Sequence, residues 1–319
     1  MRGLDYIIKR TLFALVTVFV AITINFILFR AAPGTAVANW ARAPGITPQA
    51  REELTRDFGL DKSKWQQYVI YLEQLAHGNL GISFQDYRPV SVKLRQALVK
   101  TIPMAALGTM FAIGFGVLTG VISAWRRRTR TDYASVSTAL VFYSLPTQWL
   151  GMMLLFATAG LLPSGGSQDP FLVGGFVAHF TDWLKHVTLP ALTLGLVLYG
   201  QYTLVSRSAM LETLGEDYVL TARAKGLPDR TIVRRHALRN AMLPITTLVA
   251  LSVGYIVAGS ILIERVFSWG GIGQAVYDAV TARDYPMLQG AFLVLTLSVV
   301  FCNYVADLVY FKLDPRISG

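Results

Sequence analysis

Arg223, Lys225, Arg230, Arg234, Arg235 and Arg239 crowd one stretch, EDYVLTARAKGLPDRTIVRRHALRNAMLP, from Glu216 to Pro244. Cations at this density can hold anionic headgroups, set the orientation of neighbouring spans or meet an acidic protein surface. The other reactive side chains are scattered. His77, His179, His186 and His236 lack metal-ligand spacing. Ser83 and Asp86, close to His77 in sequence, read as a polar outer loop rather than a triad. Cys302, the single cysteine, lies in an apolar run, forms no intrachain disulfide and reads as a small lipid- or core-facing residue. No G-x-x-x-x-G-K-[ST] stretch is present, so the chain has no phosphate-binding loop of that kind. Chemical work must come from a partner.

The elements that position the basic stretch are apolar. Of 319 residues, 53% are hydrophobic and 15% charged, against about 25% charged in soluble domains. The fold class is therefore an all-α polytopic membrane protein. Six uncharged runs can cross a hydrocarbon core of roughly 30 Å as helices: Thr11–Phe29, Thr101–Trp125, Ser135–Leu162, Val187–Ser206, Ala241–Ile263 and Tyr285–Ala306. The net charge of +10 needs no nucleic acid, because lysine and arginine flank the spans in a one-sided way. With the N-terminus inside, the inner pieces hold Arg2, Lys9 and Arg10, then Arg126, Arg127, Arg128 and Arg130, then the basic stretch with Arg207, then Lys312 and Arg316. The short outer loops hold Lys185, Arg265 and Arg283. Both termini are thus expected to be cytoplasmic. A secretory signal peptide is the rival reading of the first span, but its apolar run exceeds a signal core.

Three regions follow: a first transmembrane helix at 1–30, an extracytoplasmic segment at 31–100, and a five-helix core at 101–319 that carries the basic hairpin at 212–244. The outer segment opens with Pro33, Gly34, Pro44, Gly45 and Pro48. Thr47 as N-cap and Pro48 at the first helical position predict one short helix, stopping near Gly59. KWQQYVIYLEQLAHGNLG predicts a second, amphipathic helix closed by Gly78. The segment reads either as a docking surface or as a solvated spacer.

Within the spans, Asn25, Gln148, Gln201 and Asn303 are costly in lipid. They line a translocation path or form interhelical hydrogen bonds. Pro146 in YSLPTQW predicts a kink in the third span. FSWGGIG, Phe267–Gly273, is too glycine-rich for a regular helix and reads as a loop dipping toward the path or as an outer turn.

The basic stretch itself reads as a helical hairpin. Glu216 and Asp217 suit a helix start, and Lys225 and Gly226 suit its end before Pro228. In the following DRTIVRRHALRN, Ile232, Val233, His236, Ala237 and Asn240 share one face at 100° per residue, and Leu243–Pro244 is expected to open the next span. Lipid binding, topology setting and protein docking all remain open on charge alone. Docking also uses the small residues Ala222, Ala224 and Gly226.

These residues resemble the cytoplasmic EAA-type loop of ABC importer permeases, in the dipeptide/oligopeptide/nickel branch. The resemblance covers nearly the whole chain: YIIKRTLFALVTVFVAITINFILFRAAPG is similar to that branch's first span, QYVIYLEQLAHGNLGIS to its outer segment, ERVFSWGGIGQAVYDAVTARDYPMLQG to its last loop and DLVYFKLDPRIS to its C-terminus. Leu220-Thr221-Ala222 stands where the general motif begins Glu-Ala-Ala. The resemblance implies a non-enzymatic permease subunit of the bacterial inner membrane that pairs with a second homologous permease. It implies two cytoplasmic ATPase subunits that hold ATP and magnesium, an extracytoplasmic solute-binding protein, and no cofactor bound by this chain. The ATPase-coupling residues it implies are Tyr218, Thr221, Ala222, Arg223, Ala224, Lys225, Gly226, Arg230, Arg234 and Arg235. Short peptides are the implied substrate, with nickel or oligosaccharide as alternatives within the family. A self-sufficient secondary transporter would instead need an inverted repeat and midplane ionisable groups, and a membrane enzyme a clustered catalytic set.

Overall fold

The computed structural model describes residues 2–31, 48–49, 52, 61–255 and 261–313. Its elements are α1 (Arg2–Phe26, continued by a π turn Ile27–Ala31), α2 (Lys64–Ala76), α3 (Val90–Trp125), α4 (Arg130–Ser144), α5 (Thr147–Ala157), α6 (Phe176–Leu214), α7 (Asp217–Ala224), α8 (Leu238–Tyr255), α9 (Ile261–Val266), α10 (Ile272–Ala282) and α11 (Tyr285–Leu313). Among the described residues the one strand-like feature is an isolated bridge between Ile82 and Pro89. The helix expected after Thr47 lies largely outside the described residues.

Among the described residues four helical stretches are long and apolar enough to cross a membrane: Asp5–Phe29, Val90–Trp125, Phe176–Leu214 and Tyr285–Leu308. The predicted third span is broken. Leu145 and Pro146 are extended, and α4 and α5 meet at 106°. Pro146 has no amide hydrogen to continue the ladder, and Ser144 Oγ donates to the Val141 carbonyl at 3.1 Å beside the break. Together the pair makes a fifth candidate span. In the region expected to hold another, the described residues form α8 and α9. Helices also outrun their apolar runs: α6 has 39 residues, roughly 58 Å at 1.5 Å per residue, so charged ends project past any bilayer core.

The chain divides into two compact units, Met1–Val99 with Gly271–Gly319, and Lys100–Gly270. In the first, α1 packs along α11. Arg10 pairs with Asp307, and Thr11 Oγ1 meets Tyr304 Oη at 2.8 Å. Helix α2 starts at a capping box in which Ser63 and Gln66 satisfy each other's backbone amides, and it ends beside Gly78, whose φ is +69°. A polar clasp closes this unit. Asp284 is 1% exposed and accepts hydrogen bonds from the Ser83 hydroxyl, from the Phe84 amide at 3.1 Å and from the Met287 amide at 3.2 Å, the last capping the start of α11. Lys93 Nζ reaches both Ser83 Oγ and Asp86, each at 3.0 Å. Burial pushes the Asp86 carboxyl up, but hydrogen bonds from Lys93 and the Arg88 amide, with the Lys93 charge, outweigh it and hold it below the usual carboxylate range.

The second unit is organised on α6, which packs against α4, α5, α8 and α9. Small residues let backbones touch, as membrane helices require without a solvent-driven squeeze. A β-carbon on Gly116 would lie 2.5 Å from Tyr202 Cβ, and one on Gly200 would lie 2.4 Å from the Ala139 carbonyl oxygen. FSWGG is a packed turn rather than an open loop. Ser268 and Gly270 take positive φ, Phe267 and Trp269 are buried, and Trp269 Nε1 donates to the Lys100 carbonyl at 3.0 Å. Nearby, Thr101 Oγ1 donates to the buried Glu264 carboxylate at 2.7 Å.

Candidate functional site: the basic hairpin

The hairpin begins where Gly215 ends α6. Glu216 takes an extended N-cap conformation, and Asp217 occupies the first turn of α7, where the helix dipole favours an acid. At the other end the Gly226 amide donates to the Arg223 carbonyl at 2.9 Å and the Leu227 amide to the Ala222 carbonyl at 3.3 Å. With Gly226 at φ +73° this is a Schellman closure, which a side chain would strain. Pro228 then caps Asp229–Thr231.

From Ile232 to Ala237 the backbone forms a π turn and runs without interruption into α8. This corrects two expectations. DRTIVRRHALRN is not a separate short helix, and Leu243–Pro244 does not open the span, since Pro244 lies inside α8. The Thr246 and Thr247 hydroxyls both donate to the Leu243 carbonyl, at 2.8 and 3.1 Å, meeting a backbone group beside the proline. The wider π turn also changes which residues share a face. Ile232 and Ala237, five apart, are both buried, whereas Asn240 is exposed.

The hairpin has its own core. Val219, Ala222 and Ile232 pack together with Leu214 and Leu227 at its edge. A second cluster, Ala124, Ala209, Met210, Ala237 and Ala241, joins the hairpin's helical return arm to the ends of α3 and α6. Asn240 Nδ2 donates to Tyr218 Oη at 2.7 Å, tying α7 to the start of α8, and the Arg223 guanidinium lies 6.0 Å from the centre of the Trp125 ring. The hairpin is thus a packed solid attached to three long helices.

Of the expected coupling residues, Tyr218, Thr221, Arg223, Ala224, Lys225, Gly226, Arg230, Arg234 and Arg235 are exposed. Ala222 is the exception, turned into the hairpin core at 4% exposure, so Ala224 and Gly226 are the small residues left facing outward. Among the described residues, no acidic side chain lies within ion-pair distance of Lys225, Arg230, Arg234, Arg235 or Arg239. These cations face outward uncompensated.

The four expected path residues have different local settings, Asn25 and Asn303 in the first unit and Gln148 and Gln201 in the second. Asn25 is buried, donates to the Gln289 carbonyl at 3.2 Å and accepts from Tyr71 Oη at 3.0 Å, so it forms tertiary hydrogen bonds. Asn303 lines a cleft of about 110 Å³ with Arg10, Phe13, Thr17, Tyr304 and Asp307. Gln148 on α5 and Gln201 on α6 are half-buried. His77 is exposed, with Nδ1 2.8 Å from the Glu73 carbonyl oxygen, while Ser83 engages Asp284, so these residues and Asp86 form no triad. No group of three or more His, Cys, Asp or Glu side chains among the described residues could hold a metal ion. Sequence reading missed the long-range pairings of buried acids, Ser83 with Asp284 and Asp132 with Arg207. Asp132 and Arg207 carried only a topological signal, as charges bordering apolar runs.

Comparison with known proteins agrees with this architecture. Residues 116–319 match the model of the binding-protein-dependent transport system inner membrane component, and residues 3–105 match that of the N-terminal membrane component of such systems. The dipeptide transport system permease protein DppB of Escherichia coli K12 is 37% identical over 335 residues, covering 98% of each chain. The di/tripeptide transport system permease protein DppB of Pseudomonas aeruginosa is 36% identical over 331 residues, again 98% of each. The fold is similar to a chain of the MetNI methionine ABC transporter in an inward-facing conformation, with TM-score 0.58 and 16% identity over 70% of this chain and 96% of that one. The chain belongs to the family of binding-protein-dependent inner-membrane permease subunits of ABC importers.

Proposed function

We propose that the chain forms half of the translocation path of an ATP-driven importer of short peptides. Six spans place both termini and the 212–244 hairpin in the cytoplasm of a bacterium, in accord with the lysine and arginine distribution. A second, homologous permease completes the path. A solute-binding protein delivers the peptide to the outer face, where the 31–100 segment lies. Two ATPase subunits, which hold ATP and magnesium, each receive a hairpin of the permease pair.

The observation that carries this reading is the hairpin's construction. It has a core of its own, it runs on into α8 with Pro244 inside the helix, and its cations face outward. A partner that pulls on α7 therefore moves the start of a membrane helix. Tyr218, Thr221, Arg223, Ala224, Lys225, Gly226, Arg230, Arg234 and Arg235 form the docking face, and Ala222 supports it from beneath. Gln148, Gln201 and Asn303 are retained as path-facing residues; Asn25 has the tertiary role already described. Full-chain relatives that transport dipeptides and tripeptides support the choice of substrate.

The test is uptake by the assembled transporter in proteoliposomes. ATP-dependent accumulation of labelled di- or tripeptide, not displaced by nickel or an oligosaccharide, is expected. ATP-dependent nickel or oligosaccharide uptake would reassign the substrate, and uptake without any ATPase would refute the class.

A further inference from the structure

Beside the hairpin lies a polar cluster that docking does not use. Asp132, in the first turn of α4, is 3% exposed. Its carboxylate accepts four hydrogen bonds: Ser123 Oγ at 2.5 Å, the Arg128 amide at 2.9 Å, and Arg207 Nε and Nη2 at 2.8 and 3.0 Å. One side chain thus ties together the end of α3, the turn after it, the start of α4 and the last part of α6. Bidentate arginine–carboxylate pairing fixes direction as well as distance.

The surroundings tighten the same joint. A β-carbon on Gly120 would lie 2.5 Å from the Thr203 carbonyl oxygen and 3.0 Å from the Arg207 nitrogen, so α3 and α6 touch backbone to backbone at this level. Two residues beyond Ser123, Trp125 carries the Arg223 guanidinium of α7 over its ring. Two turns beyond Arg207, α6 ends at Leu214 and the hairpin begins. Load applied to α7 therefore reaches α3 through Trp125 and α6 through Leu214. Asp132 is the group that binds those two helices and α4 to each other.

We propose that Asp132 and Arg207 are positioning residues for energy coupling: their buried pair locks the ends of α3, α4 and α6 into one piece, so that hairpin movement drives the membrane helices instead of being absorbed in the Arg126–Thr129 turn. The inference rests on the docking reading above. A pair that served folding alone would alter the quantity of transporter, not the work obtained per ATP.

The experiment compares Asp132→Asn, Arg207→Gln and Arg207→Lys in the complete transporter in proteoliposomes, measuring subunit stoichiometry, ATP hydrolysis and peptide uptake. Asp132→Asn and Arg207→Gln are expected to assemble, to hydrolyse ATP within about twofold of wild type, and to lose about fivefold or more in peptide moved per ATP, in the range of coupling changes that single residues produce. Arg207→Lys, which keeps the charge, is expected to recover about half of that ratio. An unchanged ratio, a proportional fall of uptake and hydrolysis, or failure of all three variants to assemble would overturn the proposal. If wild type itself shows no ATP-dependent uptake, the permease reading fails instead. A partner-free measurement separates the two: in the full chain alone, Asp132→Asn is expected to raise amide exchange about threefold in 126–131 and 217–224 while Lys64–Ala76 is unaffected. Unchanged exchange in both stretches would also overturn the latch.

Discussion

Asp284 and the hairpin arginines both border apolar helices, yet their surroundings are opposite. Asp284 is buried, and its oxygens are engaged by a hydroxyl and two backbone amides contributed by the loop before α3 and the start of α11. Arg230, Arg234 and Arg235 stand on the outer surface of a hairpin whose core is apolar. A buried, hydrogen-bonded charge serves the fold, because removing it strands its partners. An exposed cation without an acidic neighbour contributes little to the fold and stays available to a partner. The contrast separates residues that hold this permease together from residues whose proposed role is to meet a partner.

The comparison can be broken or sharpened by substitution. Asp284→Ala is expected to cost about 3 kcal/mol, since a buried hydroxyl and two amides lose their acceptor; unfolding of the purified chain in detergent measures it, and a cost below about 0.5 kcal/mol would remove the clasp from the argument. Ile232→Ala, in the hairpin's own core at 1% exposure, is expected to cost about 2 kcal/mol and to raise amide exchange across 217–237. Gly226→Ala has free space for a methyl group but must keep φ +73°, so a loss of about 1 kcal/mol is expected. The triple change Arg230→Gln, Arg234→Gln, Arg235→Gln is expected to shift unfolding by no more than about 0.5 kcal/mol while weakening co-purification with the ATPase, most clearly as salt is raised. A large stability loss in the triple variant would place those arginines with Asp284 and end the distinction.

The hairpin's first arm was legible because each of its signals is local. An acid pair at Glu216–Asp217, a glycine at 226 and a proline at 228 mark a start and a stop wherever they occur. The break at Pro146 was legible for the same reason. The second arm was not. A 100° plot assumes a regular α-helix, and the π turn at Ile232–Ala237 alters the facing of every residue after it. Pro244 looked like a helix start, but it stands inside α8, whose helix begins at Leu238. Sequence patterning also places no side chain against a distant one. Ser83 and Asp284 are 201 residues apart, and Asp132 and Arg207 are 75 apart. Asn25 illustrates the limit, for its composition allowed both a path and a packing role, and only tertiary placement puts Tyr71 and Gln289 beside it.

The central claim is that the hairpin's outer face receives the ATPase. Single cysteines at Ala224 and Lys225, in a chain carrying Cys302→Ser, test it directly in membranes that hold the whole transporter; a third at Ala222, inside the hairpin core, is the control. Nucleotide-sensitive adducts to the ATPase subunit, formed from 224 and 225 with a thiol-to-amine cross-linker and absent from 222, are the expected result. Free labelling of 224 and 225 without any ATPase adduct, with or without ATP, would contradict the claim.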